Sequence, residues 1–340
     1  MSNSKALTRQ HALAGAALAT LAGLGSLAPA YAQDAAKDFP SKPITFVVPF
    51  AAGGSSDTRA RQIAEKLAKY FGKPVVVDNR AGAGGNIGTE FIARSKPDGY
   101  TIGIGNFGPM AVNKALFSKL GYDPQKDIAP IVLVEKGPLL LVVPADKSPF
   151  KTFGDFSAYA KSQKDRLSYG SAGSGSAYHL AGEVLEDALG TSMAHVPYRG
   201  GGPATNDLMA GTIDFMFDMP PSMLPYLKST PPRLKALAVA SPQRLPALPD
   251  VPTFTELGVK EMADMSNWFG VIAPSGVPEP IIAKLNDAVN RALKEPDLAQ
   301  RITSQGNIIG GGTPVAFKAF YDSEYARWSK VVKDKGIKPE

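Results

Sequence analysis

Apolar positions along this chain alternate between two periods. Ile44-Thr45-Phe46-Val47-Val48 is a short β-branched run that reads as a strand. Thr58–Phe71 then places Ile63, Leu67 and Phe71 on one helical face, closed by Gly72. Asp57 and Arg61 are spaced to pair on its outer side. Val75–Val77 reads as a second strand, Ile87–Arg94 as a helix, Pro97-Asp98-Gly99 as a turn, and Thr101–Ile104 as a third strand. Such strand–helix alternation predicts an α/β fold on a parallel sheet, with its ligand edge at the carboxyl ends of the strands.

Two apolar runs, Ile131–Val134 and Leu139–Val143, flank Gly137-Pro138 and read as a passage into a second lobe. Thr152-Phe153-Gly154-Asp155 has the spacing of a capping box for a helix reaching about Gln163. The alternation then restarts. Strands are expected at Leu167–Gly170, Met193–Val196, Ile213–Phe217 and near Ala236–Ala240, with helices at Ala177–Leu189 and Ala204–Ala210. Trp268–Ala273 is expected to cross back to the first lobe. Helices follow at Pro280–Leu293 and after Thr313-Pro314, the latter burying Phe317, Phe320, Tyr321 and Trp328. The expectation is a two-lobed clamp, each lobe a mostly parallel sheet flanked by helices, with a hinge between them. Residues 33–136 and 264–340 make the first lobe and 137–263 the second. Such clamps close by hinge bending.

The 340 residues, 44% hydrophobic and 20% charged, are an ordinary globular composition with length for two domains. Residues 1–32 stand apart. Lys5 and Arg9 precede an apolar run from Ala12 to Ala28, and Pro29-Ala30-Tyr31-Ala32 supplies a small-residue cleavage site. That is the plan of a signal peptide cut after Ala32. A membrane anchor fits less well, because the run is short, rich in Ala and Gly, and followed at once by the cleavage motif. Cysteine is absent, so neither a disulfide nor a lipid-modified cysteine is available. A freely diffusing exported protein that is to stay with its cell needs an outer boundary, which points to a Gram-negative periplasm. Removing Lys5 and Arg9 from the formal charge of +6 leaves +4, mildly favourable to an anionic ligand. No basic block or nucleic-acid module is present, so nucleic acid is not an expected partner.

Several enzyme signatures are tested by the chain and fail. In Gly82-Ala83-Gly84-Gly85-Asn86-Ile87-Gly88, Ile87 stands where a dinucleotide loop needs its third glycine. There is no phosphate-binding loop ending in Gly-Lys-Ser/Thr, and no G-x-S-x-G elbow aligns with Gly170–Ser176. Ser176, His179, His195 and Asp218 contain the ingredients of a triad in an unsupported chain order. With two histidines beyond the leader and no cysteine, no metal site is expected. What remains is a set of polar loops at strand ends. The first lobe offers Phe50, Ala51, Ala52, Gly53, Ser55 and Asp57, then Gly84, Gly85 and Asn86, and Asn106. The second offers Ser171, Ser174, Gly175, Ser176 and His179, then Tyr198, Arg199 and Asp218. Serine hydroxyls and free N–H groups at helix starts suit reversible binding of a carboxylate. Each has a plainer use: Ser176 as a helix cap, His179 in packing, Asp218 as a structural partner of Arg199. No catalytic residue, metal or cofactor is expected.

The chain resembles the Bug-type solute receptors, the periplasmic component of tripartite tricarboxylate transporters, over essentially its whole length beyond residue 32. The resemblance is carried by FPSKPITFVVPFAAGGSSD, VVVDNRAGAGGNIG and PDGYTIGIGN in the first lobe. LSYGSAGSGSAYHLAGE, HVPYRGGGPATNDLMAGTIDFMFD, LKALAVASPQRLPALPDVPTFTELG and WFGVIAPSGVP carry it through the rest. It implies a type II-like periplasmic-binding-protein fold without catalysis or cofactor. The implied ligand is one small carboxylate: a di- or tricarboxylate, an aromatic acid such as terephthalate or nicotinate, or an amino acid. The implied partners are that ligand and the integral membrane subunits of a transporter, with the receptor itself a monomer. In the family the loop matching Phe50–Ser55 holds the carboxylate, loops matching Gly84–Asn86 and Ser171–Ser176 complete the pocket, and the position of Asp218 can meet a ligand amine. Met219 stands where asparagine is commoner. An exported serine hydrolase using Ser176 and a subunit that senses the ligand for a signalling system are the competing readings.

Overall fold

The structure, a computed structural model, describes residues 37–339. The expected leader, residues 1–32, lies outside them. The described chain forms a two-lobed α/β fold on two sheets.

The first sheet has six strands in the order β11-β4-β10-β3-β1-β2. These are β1 (Ile44–Val48), β2 (Val75–Asn79), β3 (Thr101–Asn106), β4 (Ile128–Pro138), β10 (Ser266–Pro274) and β11 (Ile308–Gly311). The second has five, ordered β7-β6-β8-β5-β9. These are β5 (Leu140–Pro144), β6 (Ser168–Ser171), β7 (Ala194–Pro197), β8 (Phe215–Asp218) and β9 (Leu234–Val239). Both sheets are mixed, which corrects the expectation of mostly parallel ones. Parallel pairing is confined to β3-β1-β2 and β7-β6-β8. The strands that carry the chain between sheets run the other way. β4 leaves the first sheet and β10 returns antiparallel beside it, paired from Ser266 with Pro138 to Pro274 with Ile128, with register shifts after Phe269 and after Val271. β5 enters the second sheet antiparallel to β8 and β9.

The helices are α1 (Ser55–Phe71), α2 (Asn86–Ala93), α3 (Asn113–Leu116), α4 (Phe153–Ser162), α5 (Ala177–Leu189), α6 (Gly201–Ala210), α7 (Pro220–Leu227), α8 (Glu279–Lys294), α9 (Pro296–Ser304) and α10 (Pro314–Lys335). The apolar faces read from the sequence are buried: Ile63 and Leu67 on α1, and Ile281, Leu285, Ala288, Val289 and Ala292 on α8. Thr152 and Asp155 form the reciprocal capping box at the start of α4. β5 is covered on both faces, with Leu141 and Val143 in the larger core and Leu140 and Val142 in a second core with Ala204 and Leu208.

Two helices begin earlier than their apolar pattern suggests. α1 opens at Ser55 and α6 at Gly201, so the small polar residues before each apolar face are first-turn residues. Glycine and serine are weak helix formers, which hides these turns. α7, α9 and β11 were not anticipated. α7 is read over by Pro220-Pro221, although Pro is accepted in a first helical turn, and β11 is four residues ending in Gly-Gly.

Candidate functional site

The early starts of α1 and α6 create the central feature of the molecule. Gly54 is extended (φ −83°, ψ 174°) and no side chain caps α1. Gly200 precedes α6, again with no side-chain cap. An uncapped helix start presents free N–H donors and a partial positive charge. Here two such ends, one from each lobe, meet head on. A methyl group at Gly54 would lie 3.4 Å from the Gly201 nitrogen and 3.5 Å from that of Gly202. Gly54, Ser55, Ser56 and Gly201 line a cavity of about 10 Å³ between the lobes. Phe50, Asn106 and Asn267 complete it from the first lobe, and Ala172, Ser176, Ala177 and Tyr178 from the second. No lysine or arginine lines it. Its positive character comes from backbone, and an anion there would accept hydrogen bonds from both helix ends.

Beside the cavity lies a fully buried polar cluster around Asp218 at the end of β8. Its Oδ1 accepts from Ser55 Oγ at 2.8 Å and from the Met219 N–H at 2.6 Å. Ser55 Oγ also lies 2.8 Å from Ser222 Oγ. The Oδ2 atom is buried without a hydrogen bond, where a methyl group on Gly201 would approach to 2.5 Å. Burial pushes the Asp218 carboxyl above the usual range, against opposing contributions from Tyr178, Ser55, the Met219 N–H and Ser222. Tyr178, buried with it, is raised as well, first by burial and then by the Asp218 charge. Asn267 Nδ2 reaches the Tyr178 hydroxyl at 3.4 Å. Asp218 does not pair with Arg199, whose side chain is exposed.

The loops themselves are shut on one another. The Ala51 N–H donates to the Arg199 carbonyl at 2.8 Å. Ala52 and Gly53 are exposed at the rim, and a methyl at Gly202 would meet the Ala52 oxygen at 2.2 Å. Asp57 is buried and braces its own loop: it accepts from the Gly53 N–H (3.0 Å), Arg61 Nε (3.0 Å) and Asn79 Nδ2 (3.0 Å). Burial opposes its charge, but these hydrogen bonds prevail and its carboxyl lies below the usual range. Gly84 packs between the lobes and Gly85 within its own. Gly84 abuts the Ser174 carbonyl, and Gly85 (φ +91°) leaves room for Phe50, whose ring a methyl there would meet at 2.8 Å. Asn86 Oδ1 accepts from Asn113 Nδ2 at 2.6 Å, and the same nitrogen reaches the Gly84 carbonyl at 3.2 Å. Asn106 Oδ1 accepts from the Gly108 N–H at 3.2 Å.

In the second lobe, Ser176 Oγ caps α5 by accepting the His179 N–H at 3.3 Å. Ser171 is buried, its Oγ 2.6 Å from His195 Nε2 and 3.0 Å from the Gly173 nitrogen. His179 Nδ1 accepts the Gly175 N–H at 3.2 Å, and its Nε2 lies 3.4 Å from Glu183 Oε1. Neither ring nitrogen is directed at Ser176, so the Ser176–His179 pair of a hydrolase is not assembled. Tyr198 turns to Asp207 at 2.7 Å, and burial and that carboxylate raise its hydroxyl's pKa.

Of the residues singled out from sequence, Phe50, Ser55, Asn106 and Ser176 line the cavity and Asp218 adjoins it. Sequence reasoning missed Tyr178, Asn267, Ser222 and Asn113. Asn267 carried a signal, as a polar residue opening the apolar run at Trp268.

The profile of the tripartite tricarboxylate transporter family receptor matches residues 59–337. The chain belongs to that family. Protein BugT of Bordetella pertussis is 35% identical over 333 residues, covering 98% of this chain and 99% of that protein. Among solved structures, MatC from Rhodopseudomonas palustris with bound malate superposes with TM-score 0.81 at 38% identity, over 86% of this chain and 100% of MatC. A second R. palustris protein, solved with adipate, gives TM-score 0.83 at 36% identity, over 89% and 100%. Bug-type receptors are therefore relatives in sequence and in fold, and family and fold are those of periplasmic solute-binding proteins. No described helix is long and apolar enough to cross a membrane.

Proposed function

We propose that this receptor captures one small carboxylate in the periplasm and presents it to the integral membrane subunits of a tripartite tricarboxylate transporter. The observation that carries the reading is the meeting of two uncapped helix N-termini, one per lobe, at a cavity without cationic side chains. Such a site favours an anion yet lets it leave, since no fixed ion pair must be broken. Relatives solved with malate and with adipate make dicarboxylates the first candidates, ahead of amino acids and aromatic acids.

A cavity of about 10 Å³ holds roughly one water molecule, so a carboxylate enters only when the lobes part. We place the hinge where the chain crosses between sheets, at Leu139 and between β9 and β10, with lobes 33–136 plus 264–340 and 137–263. A ligand bound between the lobes then stabilises the closed form by its extra contacts there. The mature chain, cut after Ala32 and lacking cysteine, acts as an unanchored monomer.

A thermal-shift panel of malate, adipate, citrate, aspartate, glutamate, nicotinate and terephthalate on ligand-stripped protein tests the reading. A specific ligand at 100 times its Kd adds about 2.7 kcal/mol, a shift of several degrees. Response to one chemical class supports the receptor. A flat panel on folded protein removes small carboxylates as the ligand class.

A further inference from the structure

The cavity wall formed by Ser171–Ser176 is held from behind by two stacked histidines that the receptor reading does not use. We propose that His179 and Ser171 are positioning residues for this wall, and that the His179 ring acceptor holds the Gly175 turn on which the wall's grip on a ligand depends. The proposal rests on the carboxylate-receptor reading for its consequence, though not for its test.

The geometry is specific. Ser171 Oγ takes the Gly173 N–H at 3.0 Å and His179 Nδ1 takes the Gly175 N–H at 3.2 Å. Both glycines have left-handed backbones (φ +113° and +83°), so the loop needs these bonds to hold its shape. Between them Ser174 places its carbonyl against Gly84 of the other lobe, and at either end Ala172 and Ser176 face the cavity. A slack loop would therefore loosen both the wall and the closure.

His179 can serve only while Nδ1 carries no proton, which fixes its proton on Nε2, toward Glu183. Ser171 Oγ accepts the Gly173 N–H and also hydrogen-bonds His195 Nε2, 2.6 Å away. The two imidazoles stack with centroids 4.1 Å apart and planes at 26°. Burial first, and then His179, hold the His195 pKa down at about 3. Of the groups around His179, Glu183 on its own helix lies within ion-pair distance, and Glu186 a turn further on accepts the Met193 N–H. Tyr169 of β6 stacks on His195 of β7 and reaches Glu183 at 3.4 Å. Lys260 and Glu261, on the turn packed against α5, are exposed. A proton added to His179 Nδ1 replaces an acceptor by a donor facing the Gly175 N–H, and charges a buried ring stacked on its neighbour.

Residues 37–339 contain just these two histidines, so their ring nitrogens are readily assigned by NMR. The expected spectrum of the mature protein at pH 7.5 shows His179 protonated on Nε2 alone. Hydrogen exchange of the Gly175 amide, referenced to Leu185 in the same helix, gives the second readout. His179→Phe keeps the ring and removes the acceptor, and should lower Gly175 protection about 10-fold, the worth of one hydrogen bond. His179→Asn restores an acceptor near Nδ1 and should stay within about 3-fold of the parent. A proton on Nδ1 at pH 7.5, Gly175 protection in His179→Phe equal to that of the parent, or equal loss in both variants overturns the proposal. If His179→Phe does not fold, the ring spectrum and His179→Asn decide. None of these readouts needs a bound ligand, so their failure is distinct from a flat carboxylate panel.

Discussion

Glu186 shows how one side chain can set a pH dependence for a whole lobe. It sits on α5, accepts the Met193 N–H ahead of β7, and is pushed up to about 7 by burial, assisted by Glu183, Asp187 and Asp165. A carboxyl raised in the folded state favours the folded chain while protonated. Its contribution is complete below about pH 4.5 and is lost as pH rises through about 7. Glu186→Gln keeps the acceptor for Met193 and cannot ionise. It should be more stable than the parent at pH 8 by about 1–2 kcal/mol, after discounting for partial exposure, with the gain gone at pH 4.5. Denaturant melts at the two pH values measure it. A constant difference would assign the effect to something other than this ionisation. At this scale, sequence marked Ser55 and Asp218 as candidates, but not that they bond to each other. They lie far apart in the chain, and only closure of the lobes makes Ser55 Oγ the neighbour of Asp218 Oδ1. Asp57, an equally plausible ligand contact on sequence, turns out to be satisfied within its own lobe by Gly53, Arg61 and Asn79.

Between elements, one buried ion pair ties α1 to the strand that leads into the crossing. Arg59 Nε and Nη2 meet Glu135 Oε1 and Oε2 at 2.7 and 2.8 Å, with both side chains fully buried. Asn307 Nδ2 adds a bond to Glu135 at 2.7 Å, and Gln62 and Gln305 accept from Arg59 Nη1 and Nη2 at 2.6 and 3.1 Å. Removing one partner strands a charge in the core, so Glu135→Leu should cost about 3–5 kcal/mol. The double variant Arg59→Met with Glu135→Leu should recover most of that loss, because the desolvation of both ions is then avoided. A double-mutant cycle by urea unfolding checks this, and no recovery would mean that Asn307 and the glutamines carry the energy instead. Sequence periodicity located α1 through Ile63 and Leu67 but singled out neither Arg59 nor Glu135. Its partner is on β4, and no local pattern links them.

For the molecule as a whole, the decisive contact is glycine against backbone across the lobes. Gly202 lies in the first turn of α6, where alanine is a better helix former, but a methyl there would sit 2.2 Å from the Ala52 carbonyl oxygen of the other lobe. Gly202→Ala should leave each lobe folded and block full closure. The expected outcome is a larger radius of gyration in solution scattering, thermal stability unchanged or slightly higher, and affinity for a responding carboxylate lower by about tenfold or more, roughly 1.4 kcal/mol of closed-state contact. An unchanged radius with unchanged affinity would show that the glycine pairs do not gate closure.

Hydrophobic periodicity by itself determined most strands and helices and the α/β class, because these follow from which face of each segment must leave water. The motifs determined the family, since so many occur in one order. Pairing direction was decided by tertiary structure: whether β4, β5 and β10 run with or against their neighbours depends on how the chain enters each sheet. The site was decided there too. Sequence displays Gly53-Gly54-Ser55 and Gly200-Gly201-Gly202 as separate loops. Only the fold makes them two helix starts facing one another, across a cavity that no charged side chain lines.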